Sequence, residues 1–197
     1  MRLDKTQKYI AAVSGGPDSM AMLNKFKKFI TVVAHVNYHK RADSSYDTKL
    51  VKEFCVEHDI KLEILDVTEK IYKKSQQHNF QALARIIRYD FFNDVAKKYK
   101  CCNLLVAHNL NDFLETAVMQ QNRKSLNFFY GIKEVSQYKN LKIYRPLINS
   151  WKSDLEKYCN KNDIKYAIDS TNSSDIYERN RIRKQIRTLS VVERKKL

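Results

Sequence analysis

The sequence predicts an α/β protein, a Rossmann-like, mostly parallel sheet flanked by helices. Three observations predict it. Short β-branched apolar runs alternate with longer stretches whose apolar residues recur at helical spacing. No tight hairpin signal separates the first four runs, which argues for right-handed βαβ crossovers. Finally, the chain has only three glycines and two prolines, and two of those glycines and one proline stand together at Gly15-Gly16-Pro17, between the first apolar run and the first helical pattern.

Tyr9 to Val13 is a short apolar run that reads as a buried strand. Pro17 suits the first turn of the helix that follows, with Met22, Phe26 and Phe29, or Leu23, Phe26 and Ile30, on one face. Thr31 to Val36 is the second strand and runs into Asn37-Tyr38-His39-Lys40-Arg41. Asp43, Ser44 or Ser45 can cap a helix with Leu50, Val51, Phe54, Cys55 and His58 inward. Lys61 to Val67 is the third strand. Residues 68–78 are polar and Lys-rich, a loop or short helix.

Asn79 caps a long helix with Phe80, Leu83, Ala84, Ile87, Phe91 and Val95 on its buried face, and Arg85, Arg88 and Tyr89 share its length. Asn103 to His108 is a fourth strand, leading through Asn109-Leu110-Asn111-Asp112 into a helix with Phe113, Leu114, Ala117 and Val118. Residues 122–141 read as irregular and basic. Leu141 to Ile148 resumes as a strand, Ser150 caps a further helix, and Tyr166 to Asp169 is a candidate edge segment. A basic helix then carries Ile182, Ile186 and Leu189 on one side, with Arg179, Arg181, Arg183, Lys184 and Arg187 over much of the rest. Without repeats or a Gly/Ser/Pro linker, residues 1–197 read as one domain with a basic helical segment from about residue 150.

A strand, a glycine turn and a helix start make an anion site. Backbone N–H groups at a helix N-terminus lack intrahelical partners, and the helix dipole adds positive charge there. Ser14 and Ser19 add hydroxyl donors. Asp18 beside a phosphate implies an intervening divalent cation, Mg²⁺. The Gly-Lys-Ser/Thr ending of a Walker A loop is absent, as is the dinucleotide pattern G-x-G-x-x-G. The plain structural alternative is a tight strand-to-helix turn capped by Ser14. In an open α/β sheet ligands lie beyond the strand C-termini, and Ser14, His35, His108 and Asp112 all fall at that edge. A lone histidine there is more often a satisfied, partly buried residue than a catalyst.

Composition narrows the partners. Thirty-seven Lys and Arg against twenty-two Asp and Glu leave a net charge of +15, which favours a polyanion such as nucleic acid. Lysine is also scattered along the whole chain, as a solvated surface would have it. No apolar run approaches the roughly 20 residues a membrane span needs, and no secretory h-region opens the chain, so a cytoplasmic protein is expected. Cys55, Cys101, Cys102 and Cys159 form no C-x-x-C pair and read as free thiols.

Ser14-Gly15-Gly16-Pro17-Asp18-Ser19 resembles the SGGxDS pyrophosphate loop of the N-type ATP pyrophosphatases, which split ATP between its α and β phosphates. Within that group the chain looks like the tRNA(Ile)-lysidine synthetases. The matching stretches are His35 to Arg41, Ala84 to Phe92, Ala107 to Thr116, Arg145-Pro146-Leu147-Ile148, Asp169 to Asn172 and Arg179 to Arg183, in motif order from about residue 9 to residue 187.

The resemblance implies an adenine nucleotide alpha hydrolase-like fold and a reaction. The wobble cytidine of isoleucine tRNA with a CAU anticodon is adenylated by ATP, and free L-lysine then attacks the ring carbon, giving lysidine, AMP and pyrophosphate. It implies that residues 14–19 (Ser14, Gly15, Gly16, Pro17, Asp18, Ser19) hold ATP, with His35 and Val36 at the strand end that meets adenine. Asp18, Asp112, Arg88 and His108 become the catalytic set. Asp18 is assigned to Mg²⁺ and Asp112 to a general base or ammonium anchor that can also lie near the metal. Arg85, Arg88, Glu115, Thr116, Arg145, Asn180 and Arg183 are expected to meet substrate or tRNA. Where that family carries two consecutive acids after the fourth strand, this chain has Asn111-Asp112. A thiolase of the same superfamily would commonly use paired cysteines, which this chain lacks. A tRNA-binding module without turnover is the remaining alternative from another class.

Overall fold

In a computed structural model, residues 3–39, 44–68, 80–123, 128–168, 181–183 and 186 are described. The elements run β1 (Tyr9–Ala12), α1 (Pro17–Phe26), β2 (Ile30–Asn37), α2 (Ser44–Glu57), β3 (Lys61–Asp66), α3 (Phe80–Tyr99), β4 (Asn103–Val106), α4 (Leu110–Asn122), β5 (Val135–Tyr138), β6 (Leu141–Tyr144) and α5 (Lys152–Lys161). They build one six-stranded sheet in the order β3-β2-β1-β4-β6-β5. All neighbours are parallel except the β5–β6 pair. The order reverses between β1 and β4, so the crevice at the switch point opens above the glycine loop.

Strand alternation divides the core. Tyr9, Ala11, Val33 and Leu105 face α1, α2 and α5, packing on Met20, Leu23, Val51, Phe54, Leu155 and Cys159. Ile10, Val32, Ala34, Leu104 and Ile143 face α3, packing on Tyr89, Phe92, Val95 and Ala96. A third cluster joins Leu114 of α4 to Ile182 and Ile186 of the C-terminal helical segment. Each fully buried leucine or isoleucine contributes on the order of 2 kcal/mol, so the two large clusters hold the sheet between its helical layers. No helix among the described residues is long and apolar enough to cross a membrane.

Four local expectations are corrected. Part of the supposedly irregular stretch 122–141 is a strand: β5 pairs antiparallel with β6 across a tight turn at Lys139-Asn140, where Lys139 has φ +49°. The segment shows no clear apolar alternation because β5 is an edge strand with Val135 and Gln137 exposed. The buried face of α3 is rotated, with Tyr89 and Phe92 inside and Ile87 and Phe91 only half-buried, since Tyr89 packs against Phe92 and Tyr138. Ser150 does not cap α5; Trp151 holds the cap position and contributes no side-chain bond. Tyr166 to Ile168 join no strand; the Ala167 N–H instead donates to the Gly15 carbonyl at 2.9 Å. Residues 69–79, with the expected Asn79 cap, and Lys40, Arg41, Asp43, residues 169–172, Arg179, Asn180, Lys184, Arg187 and Leu189 lie outside the described residues.

Candidate active site at the sheet switch point

The glycine loop is held open by its own geometry. Gly15 has φ +90°, a conformation other residues rarely adopt, and a Cβ there would lie 3.1 Å from the Asp47 Cβ and 3.2 Å from the Asp47 backbone. At Gly16, by contrast, a Cβ would meet only Ser14 Oγ at 3.7 Å, so the space above that residue is open. Gly16, not Ser14, is the N-cap of α1, and it supplies no side chain. Ser19 Oγ donates to the Gly16 carbonyl at 2.9 Å and accepts from the Ser14 N–H at 3.2 Å, with Ser14 Oγ also 3.2 Å away. Among the described residues, the backbone N–H groups of Gly15, Gly16, Asp18 and Ser19 have no acceptor. Four donors turned to one opening at a helix N-terminus are what an oligophosphate requires.

Asp18 stands at the mouth of this cradle. Its Oδ1 is buried without a hydrogen-bond partner. Burial pushes the carboxyl up to about 6, opposed by Lys152, reinforced by the negative charge of Asp112 and opposed again by a hydrogen bond from Asn109. Asp112 caps its own helix: its Oδ2 accepts from the Asn109 N–H at 3.0 Å while the Asn109 Oδ1 accepts from the Asp112 N–H at 3.1 Å. Two carboxylates of neighbouring elements, one with an unpartnered buried oxygen, fit a Mg²⁺ that takes its other ligands from phosphate and water. Among the described residues no cluster of three or more metal-ligating side chains forms.

Asn111 has a different task from its neighbour. Its Oδ1 accepts from the Lys152 N–H at 3.0 Å, and the Leu110 N–H donates to the Ser150 carbonyl at 2.9 Å. Residue 111 therefore caps α5 across the crevice rather than facing Asp18. This cap also sets Lys152 beside Asp18.

The two histidines expected at strand ends are both engaged. β2 continues to Asn37, so His35 lies inside the strand, not after it, and is 2% exposed. Its Nδ1 bonds the Val13 carbonyl at 2.9 Å and its Nε2 bonds Thr48 Oγ1 at 2.9 Å, and burial holds its pKa below the usual value. A carbonyl only accepts, so Nδ1 carries the proton and Nε2 accepts from Thr48. His35 thus ties β1, β2 and α2 together behind the loop. Val36 is half-buried on the opposite face, against the α3 side of the core. A surface pocket lined by Asn37, Thr48, Lys49, Lys52 and Asp66 lies beside the ends of β2 and β3, one strand away from the loop.

His108 follows β4 and accepts at Nδ1 from Arg145 Nε at 3.1 Å. Arg145 is 5% exposed, and its Nη1 donates to the Lys133 carbonyl at 2.7 Å and Ser136 Oγ at 2.9 Å. Arg85 is exposed, its guanidinium 4.6 Å from the Tyr89 ring, and Arg88 is half-buried on the same helix. Glu115 is 1% exposed and pairs through both oxygens with Arg183 Nε (2.8 Å) and Nη2 (3.2 Å). That pairing, then the charges of Asp112 and Asp18, hold the Arg183 pKa above its ordinary value. Thr116 Oγ1 donates to the Asp112 carbonyl at 2.8 Å.

The structure therefore gathers Ser14 to Ser19, Asp18 and Asp112 around one opening and brings Arg183 within electrostatic range of both acids. It gives His35 and Arg145 protein partners instead of an open face. Sequence reading missed Asn109, Lys152 and the role of Asn111. The Asn109-x-x-Asp112 spacing is a readable capping box. Lys152 has no local signal, because only tertiary folding sets it beside Asp18.

A family model described as the PP-loop domain matches residues 2–189. The chain belongs to the PP-loop family. Among similar curated proteins, a tRNA(Ile)-lysidine synthase of Ureaplasma parvum is 54% identical over 188 residues, covering 95% of this chain and 56% of that protein. The synthase of that name from Mycoplasma mycoides is 49% identical over 92% of the chain and 46% of its own length. The one from Mycoplasma pneumoniae is 42% identical over 98% and 65%. This PP-loop chain thus spans about half to two thirds of those relatives. A U34-tRNA thiolase from Methanococcus maripaludis has the same fold, with a TM-score of 0.75 at 21% identity, covering 93% of this chain and 66% of that one. An NMN synthetase from Francisella tularensis gives 0.61 at 13%, covering 96% and 81%.

Proposed function

We propose that this PP-loop chain carries the catalytic domain of a tRNA(Ile)-lysidine synthetase, joining lysine to the wobble cytidine of isoleucine tRNA with a CAU anticodon at the expense of ATP. The observation that carries the reading is the open glycine loop, whose N–H groups have no acceptor among the described residues, with the Asp18 carboxylate at its helix start and the Asp112 charge acting on it. The names borne by relatives 42–54% identical support it.

In the proposed reaction the loop N–H groups and the Ser14 and Ser19 hydroxyls hold the β and γ phosphates as the leaving pyrophosphate. The oxygen of the cytosine carbonyl attacks the α phosphorus, the bond to the bridging oxygen breaks, and the base is left as its AMP adduct. The lysine amine then adds to the activated carbon and AMP departs with the former carbonyl oxygen. Asp18 and Asp112 would hold Mg²⁺, which neutralises charge on the phosphates. Asp112 also suits the anchoring of the lysine ammonium or removal of its proton. The strand ends at Val36 are assigned to adenine. Arg85 and Arg88, one helical turn apart, are assigned to phosphates or the cytosine, with Arg183, Thr116 and Asn180 toward the nucleotide or tRNA.

Charge and aromatics support an RNA partner. The chain carries +15, and Phe128, Phe129 and Tyr130 are exposed beside α4, with Phe129 stacked edge-on to Phe113. Exposed rings are what unstacked anticodon-loop bases pack on. Sulfur transfer, the alternative chemistry, is disfavoured by the thiols: Cys55, Cys101 and Cys159 are buried, and burial pushes Cys55 to about 12 and Cys159 to about 11.

The test is incorporation of labelled lysine into isoleucine tRNA bearing CAU, with ATP and Mg²⁺, and with methionine tRNA as the control. A folded protein that binds this tRNA in a salt-sensitive way yet releases no pyrophosphate in its presence would refute the catalytic reading.

A further inference from the structure

We propose that Arg145 is a positioning residue that holds His108 as the neutral tautomer protonated on Nε2, so that His108 acts at the strand ends as a hydrogen-bond donor and not as a base. The 3.1 Å bond from Arg145 Nε to His108 Nδ1 has only one sense. A guanidinium has donors and no acceptor, and it does not lose its proton in a protein. His108 Nδ1 must therefore present a lone pair, which leaves the ring proton on Nε2. Protonating Nδ1 would break this bond and set a second positive charge against the first.

Arg145 cannot turn away to admit that proton. It is buried, its Nη1 is fixed by the Lys133 carbonyl and Ser136 Oγ, and its own backbone N–H donates to the Glu134 carbonyl at 2.9 Å. The edge strand β5, which the sequence concealed, supplies Ser136. Among the described residues, the charged and titratable groups that meet Arg145 include Arg85 and Tyr89 from α3 and, through their backbone carbonyls, Lys133 and Glu134 before β5. Among the described residues no carboxylate lies within ion-pair distance of Arg145. Arg85 adds positive charge at Arg145. The environment on the Arg145 side thus opposes an imidazolium.

His35 is the internal contrast. It carries its proton on Nδ1, because that nitrogen faces the Val13 carbonyl. The two histidines hold opposite tautomers. For the lysidine reaction, on which this corollary rests, a donor-only His108 can hydrogen-bond negative charge on an oxygen but cannot take the proton of the lysine amine. That task then falls to a carboxylate, consistent with Asp112.

The experiment is a long-range ¹H–¹⁵N imidazole spectrum of the ¹⁵N-labelled protein, with His108 assigned by its loss in His108→Gln. His108 is expected to show an unprotonated Nδ1 and a protonated Nε2, unmoved across about pH 5 to 8, while His35 in the same spectrum shows the reverse pattern. An Nδ1–H tautomer, or a His108 that titrates in that window, overturns the proposal. In Arg145→Met, His108 should become a tautomer mixture that titrates near the ordinary value of about 6.5, and Arg145→Lys should restore the tautomer in part. Unchanged His108 signals in Arg145→Met also overturn it. These readouts need no turnover, so they stand whether or not lysine is incorporated. Where turnover is present, Arg145→Met should add an ionisation near about 6.5 to the pH profile of pyrophosphate release; its absence counts against a catalytic-site role for His108 even with the tautomer confirmed.

Discussion

Asp18→Asn should make the protein more stable while removing its capacity for the metal. Burial raises the Asp18 carboxyl to about 6 from an ordinary 3.8, a difference of about 2 units, or about 3 kcal/mol at about 1.36 kcal/mol per unit. The sign follows from proton binding. Between the two values the folded state binds more protons than the unfolded one, so wild-type stability falls as pH rises through this range and the full penalty is present above about 6. At about pH 7 the variant should exceed wild type by up to about 3 kcal/mol, shrinking to about 1.5 kcal/mol at about pH 5 and vanishing below about pH 4. Urea unfolding of both proteins at each pH, without Mg²⁺, measures the difference and cancels other titrating groups. Adding Mg²⁺ with ATP should then stabilise wild type and leave Asp18→Asn almost unmoved. An Asp18→Asn protein that is less stable at about pH 7, or a difference that does not shrink on acidification, would refute the view of Asp18 as a carboxylate destabilised by desolvation.

Gly15→Ala should lose about 1–3 kcal/mol in thermal unfolding, from its φ of +90° and the 3.1 Å approach to Asp47. Gly16→Ala, with only Ser14 Oγ at 3.7 Å, should keep its stability but bind ATP more weakly by equilibrium titration, since its Cβ enters the phosphate opening. Glu115→Ala leaves Arg183 without its bidentate partner and should cost about 3 kcal/mol in urea unfolding, with Glu115→Gln losing less. Asn111→Ala removes the cap on α5 and should cost about 1 kcal/mol. Asn111→Asp should keep both the cap and the wild-type Mg²⁺ dependence of ATP binding; a gain in metal affinity would show that residue 111 faces the ion.

The parts of this protein written locally were legible in its sequence. Strand-to-helix alternation announced the parallel sheet, because buried strands and amphipathic helices differ in apolar period. The loop was legible because glycine is so rare here that Gly15-Gly16 could only mark a backbone requirement, which φ at Gly15 and the open space at Gly16 then separate into two distinct reasons. Asp18 and Asp112 were readable as acids at strand ends. β5 was not, because an edge strand needs only one neighbour and tolerates exposed polar residues on its open side.

Which neighbour each side chain found was decided only in three dimensions. His35 and His108 looked equivalent in sequence, each at the end of an apolar run. One turns its Nδ1 to a carbonyl and the other to a guanidinium, and that separates their tautomers. Asn111 looked like a missing acid and is a helix cap for α5. Lys152 and Arg183 come to Asp18 from far along the chain. Local pattern determines backbone conformation, since it depends on adjacent residues. Charge, tautomer and metal affinity depend on distances of a few ångström between groups remote in sequence, and only the packed sheet and its helices set those.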